Sequence, residues 1–387
     1  MHIPSGCLIH SRIDPVREAQ TIAGQYPVCA GDAVVLLGGG LGYLAEALFK
    51  MTGKQGDIWV IEPEMALVRL SHHNRPEGVY TALNRIHLLS AATIGSLTKD
   101  LKHSTMISHL IVSPYLLQIA GLQSGPLSDY VRVLRAEIAS RSVYNNLILE
   151  HERKNADSLL QLKSVHNVML PSEKLTIVCG AGPSLSQVAD SIQTHRDHLT
   201  VIAASGAVPS LRKRGIIPDW VVALEAKEAV VRDLTALPDD VNLIVFPATH
   251  PEIFTRLKTV RLYRATDTSG GSLTTRGGSS LIPALDFALK QTTGDVVLVG
   301  ADLGYQNGRY AEGALRETEY YDSVKTPPKF ASMRAGLETL LAETNRNNRV
   351  IFHVLDSGNT LRGSQQVTPD QFTDDLLKMQ HQRYCHV

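Results

Sequence analysis

The chain has few cysteines and no long hydrophobic run. Its 4 cysteines, Cys7, Cys29, Cys179 and Cys385, are far apart and form no CxxC pair. Isolated thiols of this kind exclude a disulfide framework and a cysteine-rich zinc site, and they are typical of a reducing compartment. No segment approaches the roughly 20 consecutive apolar residues that a membrane-spanning helix needs. The start, "MHIPSGCLIHSR", also lacks the apolar centre of a signal peptide. We therefore expect a cytoplasmic protein without a membrane span.

The chain also lacks an excess of either charge. Lys+Arg and Asp+Glu are both 38, so no net charge draws the protein to nucleic acid or to an anionic membrane. The hydrophobic content of 43% and the charged content of 20% are ordinary for a globular protein. A chain of 387 residues exceeds what one core normally organises, so we expect two domains.

Short apolar runs alternate with helical patterns along most of the chain. Examples are "AVVLLG" at 33–38 in the first half and "LTIVCG" at 175–180 in the second. A mostly polar stretch at 127–163 separates the two halves. The alternation predicts an α/β fold with two Rossmann-like doubly wound domains joined by a helical connector. The predicted parts are a Rossmann-like domain at 1–125, the connector at 126–172, a nucleotide-binding α/β domain at 173–367 and a helical tail at 368–387.

The first strand ends in a glycine-rich turn, "VVLLGGGLGYLAEAL". Gly38, Gly40 and Gly42 precede a helix, and Glu62 ends the next strand twenty residues after Gly42. Glycines followed by a later acid are typical of nucleotide-binding and methyltransferase-like turns. However, Leu36 stands where methyltransferase-like folds usually have an acid. We interpret this turn as structural, packing the strand against the helix.

A second glycine turn, "TIVCGAGPSLSQVADSI", opens the second domain. Gly180 and Gly182 permit close approach of the main chain, and Pro183 suits the first helical position. Free amide groups around Ser184 and Leu185, aided by the helix dipole, would form an anion or nucleotide pocket. No GxxxxGK[ST] occurs, which argues against a P-loop kinase or ATPase.

Two further loops follow strands of the same domain. "TRGGSSLIPALDFAL" repeats the glycine turn before a helix, and "VLVGADLGYQNGRYAEG" carries Asp302, Tyr305 and Tyr310 just after a strand. Ligands bind at the carboxyl ends of the strands in doubly wound sheets, so we expect these loops to line one crevice.

These segments, with "IAASGAVPSLRKRGIIPDWVVALE", "FPATHPE" and "VLDSGNTLRG", resemble the domain shared by motility accessory factors and MptE-like proteins, over about residues 30–370. Motility accessory factors are flagellin glycosyltransferases. The resemblance implies transfer of a nonulosonic, sialic-acid-like sugar from a CMP donor to Ser or Thr of flagellin, or to another protein or glycan. It implies no resident cofactor and no metal.

The segment "GADLGYQNGRYAEG" is also similar to one in some bacterial sialyltransferases, where two tyrosines hydrogen-bond the departing CMP phosphate. That similarity implies the same role for Tyr305 and Tyr310, with Asp302 orienting the donor. Phenol donors and a helix N-terminus would stabilise the negative charge that builds on the leaving phosphate. The implied nucleotide-binding residues are Gly180, Gly182, Pro183, Ser184, Ser205, Gly278 and Ser279.

The chain departs from the sialyltransferase pattern at two places. Ala181 replaces an asparagine in the glycine turn, and "TPPKFASMRAG" lacks the histidine that serves as the general base there. Another group must then take the acceptor proton. Glu225, at the end of "DWVVALE", and His250, in "THPE", are the candidates, and Glu225 is the better one because it ends a strand.

Two other functions stay open from the sequence. The first is MptE-like 6-hydroxymethyl-dihydropterin diphosphokinase activity, which needs ATP and Mg²⁺ held by carboxylates such as Glu225 and Asp302. The second is a non-catalytic nucleotide-binding scaffold, consistent with Ala181 and the missing histidine. The long first domain favours the glycosyltransferase, because a diphosphokinase with a small substrate has little use for it.

Overall fold

A computed structural model of the chain describes residues 8–62, 64–74, 86–90, 107–118, 144, 146–235, 237–256, 260–266, 271–304, 328–344, 349–356 and 360–377. The chain divides into two compact units, Met1–Ile138 and Ala139–Val387. Both units contain a parallel sheet with helices between its strands. The predicted α/β fold class with two Rossmann-like units is therefore confirmed.

The described residues of the first unit form a four-stranded parallel sheet, with strand order β3-β2-β1-β4. Every residue of β1 is buried, which explains why this strand is apolar throughout rather than alternating. The strands are β1 (Ala33–Leu37), β2 (Asp57–Glu62), β3 (Ile86–Ser90) and β4 (Ile107–Val112), and the helices are α1 (Pro15–Ala23), α2 (Tyr43–Thr52), α3 (Met65–Asn74) and α4 (Pro114–Gln118).

The described residues of the second unit form a nine-stranded sheet, with strand order β13-β12-β11-β6-β7-β8-β9-β10-β5, and the pairings between these strands are parallel. The strands are β5 (Lys163–Ser164), β6 (Leu175–Cys179), β7 (Leu199–Ala204), β8 (Trp220–Ala223), β9 (Asn242–Val245), β10 (Arg261–Arg264), β11 (Val296–Val299), β12 (Ile351–Val354) and β13 (Gln365–Val367).

The helices of the second unit cover both faces of this sheet. Thr368 begins the last of them with a capping box, accepting from the Gln371 amide, and Pro369 follows in the first turn as predicted. The helices are α5 (146–161), α6 (Ser184–Thr194), α7 (Val208–Lys213), α8 (Ala229–Leu234), α9 (Glu252–Arg256), α10 (Leu281–Gln291), α11 (Pro328–Glu343) and α12 (Pro369–Gln371), which continues as a π-helix at Phe372–Leu377.

No helix in the described parts of the chain is both long and apolar enough to cross a membrane.

The strand order places a topological switch point in the middle of the larger sheet. From β6 the chain steps outward through β7, β8, β9 and β10, and it then returns to place β11 on the other side of β6. The strands β6 and β11 are adjacent, but the chain leads from β6 to β7 on one side and from β11 to β12 on the other side. Such a point forms the crevice in which doubly wound sheets bind ligands.

The two faces of the larger sheet bury separate clusters of side chains. Val297 and Val299 point to one face, and Val296 and Leu298 point to the other. Helix α10 lies on the second face and is buried around almost its whole circumference. This burial explains its apolar sequence and holds the loop before it, at 274–280, against the ends of the strands.

Candidate functional site

The glycine turns after β6 and β11 lie in direct contact at the switch point, and we call this contact the crossing of the two loops. The Gly180 amide donates to the Val299 carbonyl over 2.7 Å, and the Gly182 amide donates to the Gly300 carbonyl over 2.8 Å. A Cβ atom on Gly180 would lie 2.3 Å from the Gly300 carbonyl oxygen, which no side chain tolerates. In this structure the glycines therefore permit the contact between the two loops.

Asp302 caps the helix that follows this crossing. The Ser184 amide donates to the two carboxylate oxygens of Asp302 over 3.1 and 3.2 Å, and the Ser184 hydroxyl donates over 2.9 Å. The same hydroxyl accepts from the Gly300 amide over 3.0 Å. Burial raises the pKa of Asp302, and the hydrogen bonds from Ser184 act in the opposite direction. The carboxylate thus occupies the position where the dipole of α6 favours an anion.

The prediction of free amide groups at this turn is wrong. The Ser184 amide is bound by Asp302, and the Leu185 amide donates to the Gly182 carbonyl over 3.1 Å. An internal carboxylate satisfies the helix N-terminus, so a phosphate at the Ser184 amide would have to replace it. The nucleotide contacts assigned to this turn stay predictions; they concern Gly180, Gly182, Pro183 and Ser184.

The structure brings together two predicted residues at the next strands of the sheet. Ser205 follows β7, and its hydroxyl donates to Oε2 of Glu225, which follows β8, over 2.7 Å. The Leu224 amide donates to the same oxygen over 3.2 Å. None of the described residues donates a hydrogen bond to Oε1 of Glu225. The half-buried carboxylate is thus held by one oxygen and leaves the other available.

Ser280 joins this group, although the sequence analysis did not assign it to the site. Its hydroxyl lies 3.3 Å from the hydroxyl of Ser205, and both serines are buried. Its position directly after Ser279 in the "RGGSS" motif is the signal that could have identified it. We call Ser205, Glu225 and Ser280 the hydroxyl–carboxylate group.

The glycine turn before α10 has one side packed and one side open. Gly277 has φ of 90° and a Cβ there would meet Ile282 at 2.7 Å, whereas a Cβ on Gly278, with φ of 70°, would meet nothing within 4 Å. The Ser279 hydroxyl accepts from the Leu281 amide over 3.3 Å. The open side at Gly278 is what close approach of a ligand would require. The nucleotide-binding roles of Gly278 and Ser279 stay predictions.

His250 lies beside Glu225 but has the wrong tautomer for a base. Its amide donates to the Glu225 carbonyl over 3.2 Å, and its ring Nδ1 accepts from the Glu252 amide over 3.3 Å. A neutral ring that accepts at Nδ1 carries its proton on Nε2 and is a donor there. This arrangement favours Glu225 over His250 as the proton acceptor. Tyr305 and Tyr310 lie outside the described residues, so their predicted roles stay predictions.

The glycine turn of the first unit is filled by the protein's own groups. Glu62 is buried and accepts from the Gly40 amide over 2.8 Å and from the Tyr115 hydroxyl over 2.6 Å. Burial raises the pKa of Glu62, while these hydrogen bonds act in the opposite direction. His10 accepts from the Leu41 amide over 2.9 Å. These internal partners agree with the interpretation of this turn as structural.

His353 is a fully buried histidine on β12 that the sequence analysis missed. Neither ring nitrogen has a hydrogen-bond partner among the described residues. Burial lowers its pKa to about 4; the Ala301 backbone acts in the opposite direction, and the Arg334 charge lowers the pKa further. The ring is therefore neutral in the folded protein at neutral pH.

The burial of His353 predicts that the free energy of unfolding decreases as the pH is lowered. An unfolded histidine binds a proton below about pH 6.5, whereas His353 does so only near pH 4, so acid favours the unfolded state. Between pH 7 and pH 5 we expect a loss of about 2 kcal/mol from this group. Urea unfolding followed by Trp220 fluorescence in a Trp59→Phe background measures it. His353→Leu should show a shallower pH dependence, and an equal slope in both proteins would contradict the assignment.

Within the described residues, no group of three or more His, Cys, Asp or Glu side chains is placed to hold one metal ion.

Comparison with known proteins gives a family match for part of the chain. Residues 150–308 match the family model described as "6-hydroxymethylpterin diphosphokinase MptE-like". A protein of Treponema pallidum (strain Nichols), described as "uncharacterized", is 26% identical over 157 residues, which cover 36% of this chain and 71% of that protein. The description of this relative names no activity.

A solved structure is also similar. The MAf glycosyltransferase from Magnetospirillum magneticum AMB-1 is 17% identical with a TM-score of 0.47. The match covers 97% of this chain, but this chain spans only 66% of that one. At this level of identity the likeness does not extend to activity. Over residues 150–308, this chain is therefore similar to the MptE-like family, and the resemblance found in its motifs is confirmed there.

Proposed function

We propose that the second unit is a glycosyltransferase that moves a nonulosonic, sialic-acid-like sugar from a CMP donor to a protein or glycan acceptor, with flagellin as the expected protein. The observation that carries this proposal is the hydroxyl–carboxylate group of Ser205, Glu225 and Ser280. Ser205 follows β7 and Glu225 follows β8, on one side of the switch point at which doubly wound sheets bind ligands. The group supplies a carboxylate held by the Ser205 hydroxyl, at the edge where the sequence motifs place the nucleotide.

Glu225 is the general base in this proposal. Ser205 and the Leu224 amide fix its Oε2 atom, and Oε1 can accept the proton of the acceptor hydroxyl. The acceptor oxygen then forms a bond to the anomeric carbon of the sugar. The bond between that carbon and the CMP phosphate oxygen breaks, and its electron pair leaves with CMP. The reaction needs no further reactant, and the proton remains on Glu225 until it passes to solvent.

The leaving phosphate needs hydrogen-bond donors because negative charge builds on it. Tyr305 and Tyr310 supply these donors in the proposal, as the sequence similarity implies. Asp302 acts as a positioning residue, because its carboxylate binds Ser184 and so fixes the turn after β6 to the end of β11. His250 can contribute a donor through Nε2.

The description of the matching family model favours a second candidate, pyrophosphoryl transfer from ATP to a hydroxymethylpterin. That chemistry requires Mg²⁺ held by carboxylates. Glu225 and Asp302, the two candidate ligands, already accept hydrogen bonds from Ser205 and Ser184. Both oxygens of Asp302 accept from Ser184, and no three His, Cys, Asp or Glu side chains among the described residues are placed to hold one ion. These residues therefore do not fit a magnesium site, and we derive no step through the ion.

Calorimetry with CMP, CDP and ATP, each with Mg²⁺ and with EDTA, tests the proposal. We expect saturable CMP binding that EDTA does not change, because the proposed contacts are hydrogen bonds from the protein. Binding of ATP that requires Mg²⁺ would replace the glycosyltransferase by the diphosphokinase. CMP binding without sugar transfer would indicate the non-catalytic nucleotide-binding scaffold, and absence of nucleotide binding would overturn the proposal.

The leaving-group assignment has its own test. The double variant Tyr305→Phe, Tyr310→Phe should slow sugar transfer by about 100-fold, since each phenol supplies a donor that strengthens as charge develops. CMP affinity should change much less. Tyr263→Phe is the matched control, because Tyr263 lies on β10 and packs against Trp220. Transfer by the double variant at the rate of this control would overturn the assignment.

A further inference from the structure

Helix α5 holds the turn at 246–250 through a buried asparagine. Asn155 is 2% exposed, and its side-chain amide donates to the Pro247 carbonyl over 2.9 Å and to the Thr249 carbonyl over 2.7 Å. Both carbonyls belong to a turn more than 90 residues away in the sequence. A buried amide that satisfies two carbonyls of one turn fixes its conformation.

His151 contacts the same turn one helical turn earlier on α5. Its Nδ1 lies 3.4 Å from the Ala248 carbonyl, and its ring meets that of His250 edge to face, with centroids 5.1 Å apart and planes at 79°. Burial lowers the pKa of His151, and the hydrogen bond to the Ala248 carbonyl acts in the opposite direction. A neutral His151 can therefore lie against His250 without repelling it.

Hydrogen bonds also connect the turn at 246–250 to the end of β8, which Glu225 follows. The Thr249 hydroxyl donates to the Ala223 carbonyl over 2.7 Å and accepts from the Phe246 amide over 2.9 Å. The His250 amide donates to the Glu225 carbonyl over 3.2 Å. A continuous set of hydrogen bonds thus runs from α5 through the turn to the backbone of Glu225.

We propose that Asn155 and His151 are positioning residues that fix His250 and Glu225 for transfer, so that α5 is part of the catalytic apparatus. This rests on the proposed function for its kinetic consequences. Residues that hold a base within a few tenths of an ångström affect the rate of the chemical step more than substrate binding. The polar stretch predicted as a connector therefore contributes to the site.

Asn155→Ala tests the proposal, with Asn242→Ala as the matched control. Asn242 also donates from its side-chain amide to a carbonyl, that of Asp219 over 3.0 Å, but at the opposite end of the strands. We expect Asn155→Ala to lower kcat by about 10- to 100-fold with little change in KM for the CMP donor. Asn242→Ala should keep kcat within about twofold of the wild type, because Asn242 begins β9 beside Trp220, at the opposite end of β8 from Glu225.

His151→Phe provides a second variant if Asn155→Ala does not fold. It keeps the ring contact with His250 but removes the hydrogen bond to Ala248, and it should lower kcat less than His151→Ala. If Asn155→Ala and His151→Ala both turn over at the wild-type rate while their melting temperatures fall, the residues are structural only and the proposal is overturned.

A spectroscopic readout separates this proposal from the proposed function. In histidine-labelled protein, the ring nitrogens of His250 report its tautomer by NMR, with His250→Gln identifying the signals. Wild type should show the Nε2-protonated ring, and Asn155→Ala should shift or broaden these signals while Asn242→Ala should not. That result with no sugar transfer by wild type would reject the glycosyltransferase and retain the positioning role. Unchanged His250 signals in Asn155→Ala would reject the positioning role.

Discussion

Glu225→Gln is expected to lower the rate of sugar transfer by about 100- to 10,000-fold, which is the range for loss of a general base. Glutamine has nearly the shape of glutamate, and its carbonyl oxygen can still accept from Ser205 as Oε2 of Glu225 does over 2.7 Å. It cannot take the proton of the acceptor hydroxyl. Single-turnover measurement of transfer, with CMP affinity from calorimetry, separates the chemical step from binding. CMP affinity should remain close to that of wild type.

Two further variants make this result specific. Glu228→Gln is the control, because Glu228 is an exposed carboxylate three residues further along the chain, and its loss should leave the rate unchanged. Ser205→Ala should reduce the rate by about tenfold, since Glu225 keeps its charge but loses the bond that orients it. Transfer by Glu225→Gln at the rate of Glu228→Gln would show that another group takes the proton. A loss in His250→Gln alone would move that role to His250.

The fold class and part of the site follow from the sequence for a simple reason. Buried parallel strands are apolar throughout, so their positions, order of appearance and carboxyl ends can be read from the chain. Ser205 and Glu225 each follow such a strand, and the structure places their side chains in contact. Residues that leave neighbouring strands at the same edge of a sheet are brought together by the fold itself.

The remaining contacts could not be read from the sequence because they join distant segments. Asp302 reaches Ser184 across 118 residues, and Asn155 reaches Thr249 across 94. No local pattern marks either pair. The glycine turns are ambiguous for another reason, since a glycine that admits a ligand and one that admits another backbone have the same sequence. Gly180 proves to do the second in this structure.

Because the two loops cross in contact, we expect Gly300→Ala to lower the free energy of unfolding more than the other substitutions that we propose. Gly300 has φ of 67°, and a Cβ there would lie 2.2 Å from the carbonyl oxygen of Gly180 and 2.8 Å from its carbonyl carbon. The obstacle is backbone, which cannot rotate away as a side chain would. Moving it would break the bond from the Gly182 amide to the Gly300 carbonyl.

Gly215 is the matched control, since its φ is 71° and a Cβ there would meet nothing within 4 Å. Gly215→Ala should cost about 1 kcal/mol, the strain of a left-handed alanine, whereas Gly300→Ala should cost about 3 to 5 kcal/mol because overpacking against a fixed backbone adds to that strain. The chain has 2 tryptophans, Trp59 in the first unit and Trp220 in the second. In a Trp59→Phe background, urea unfolding followed by fluorescence therefore reports the second unit alone. Equal losses in the two alanine variants would show that strain accounts for both and that the loops do not cross as closely as described.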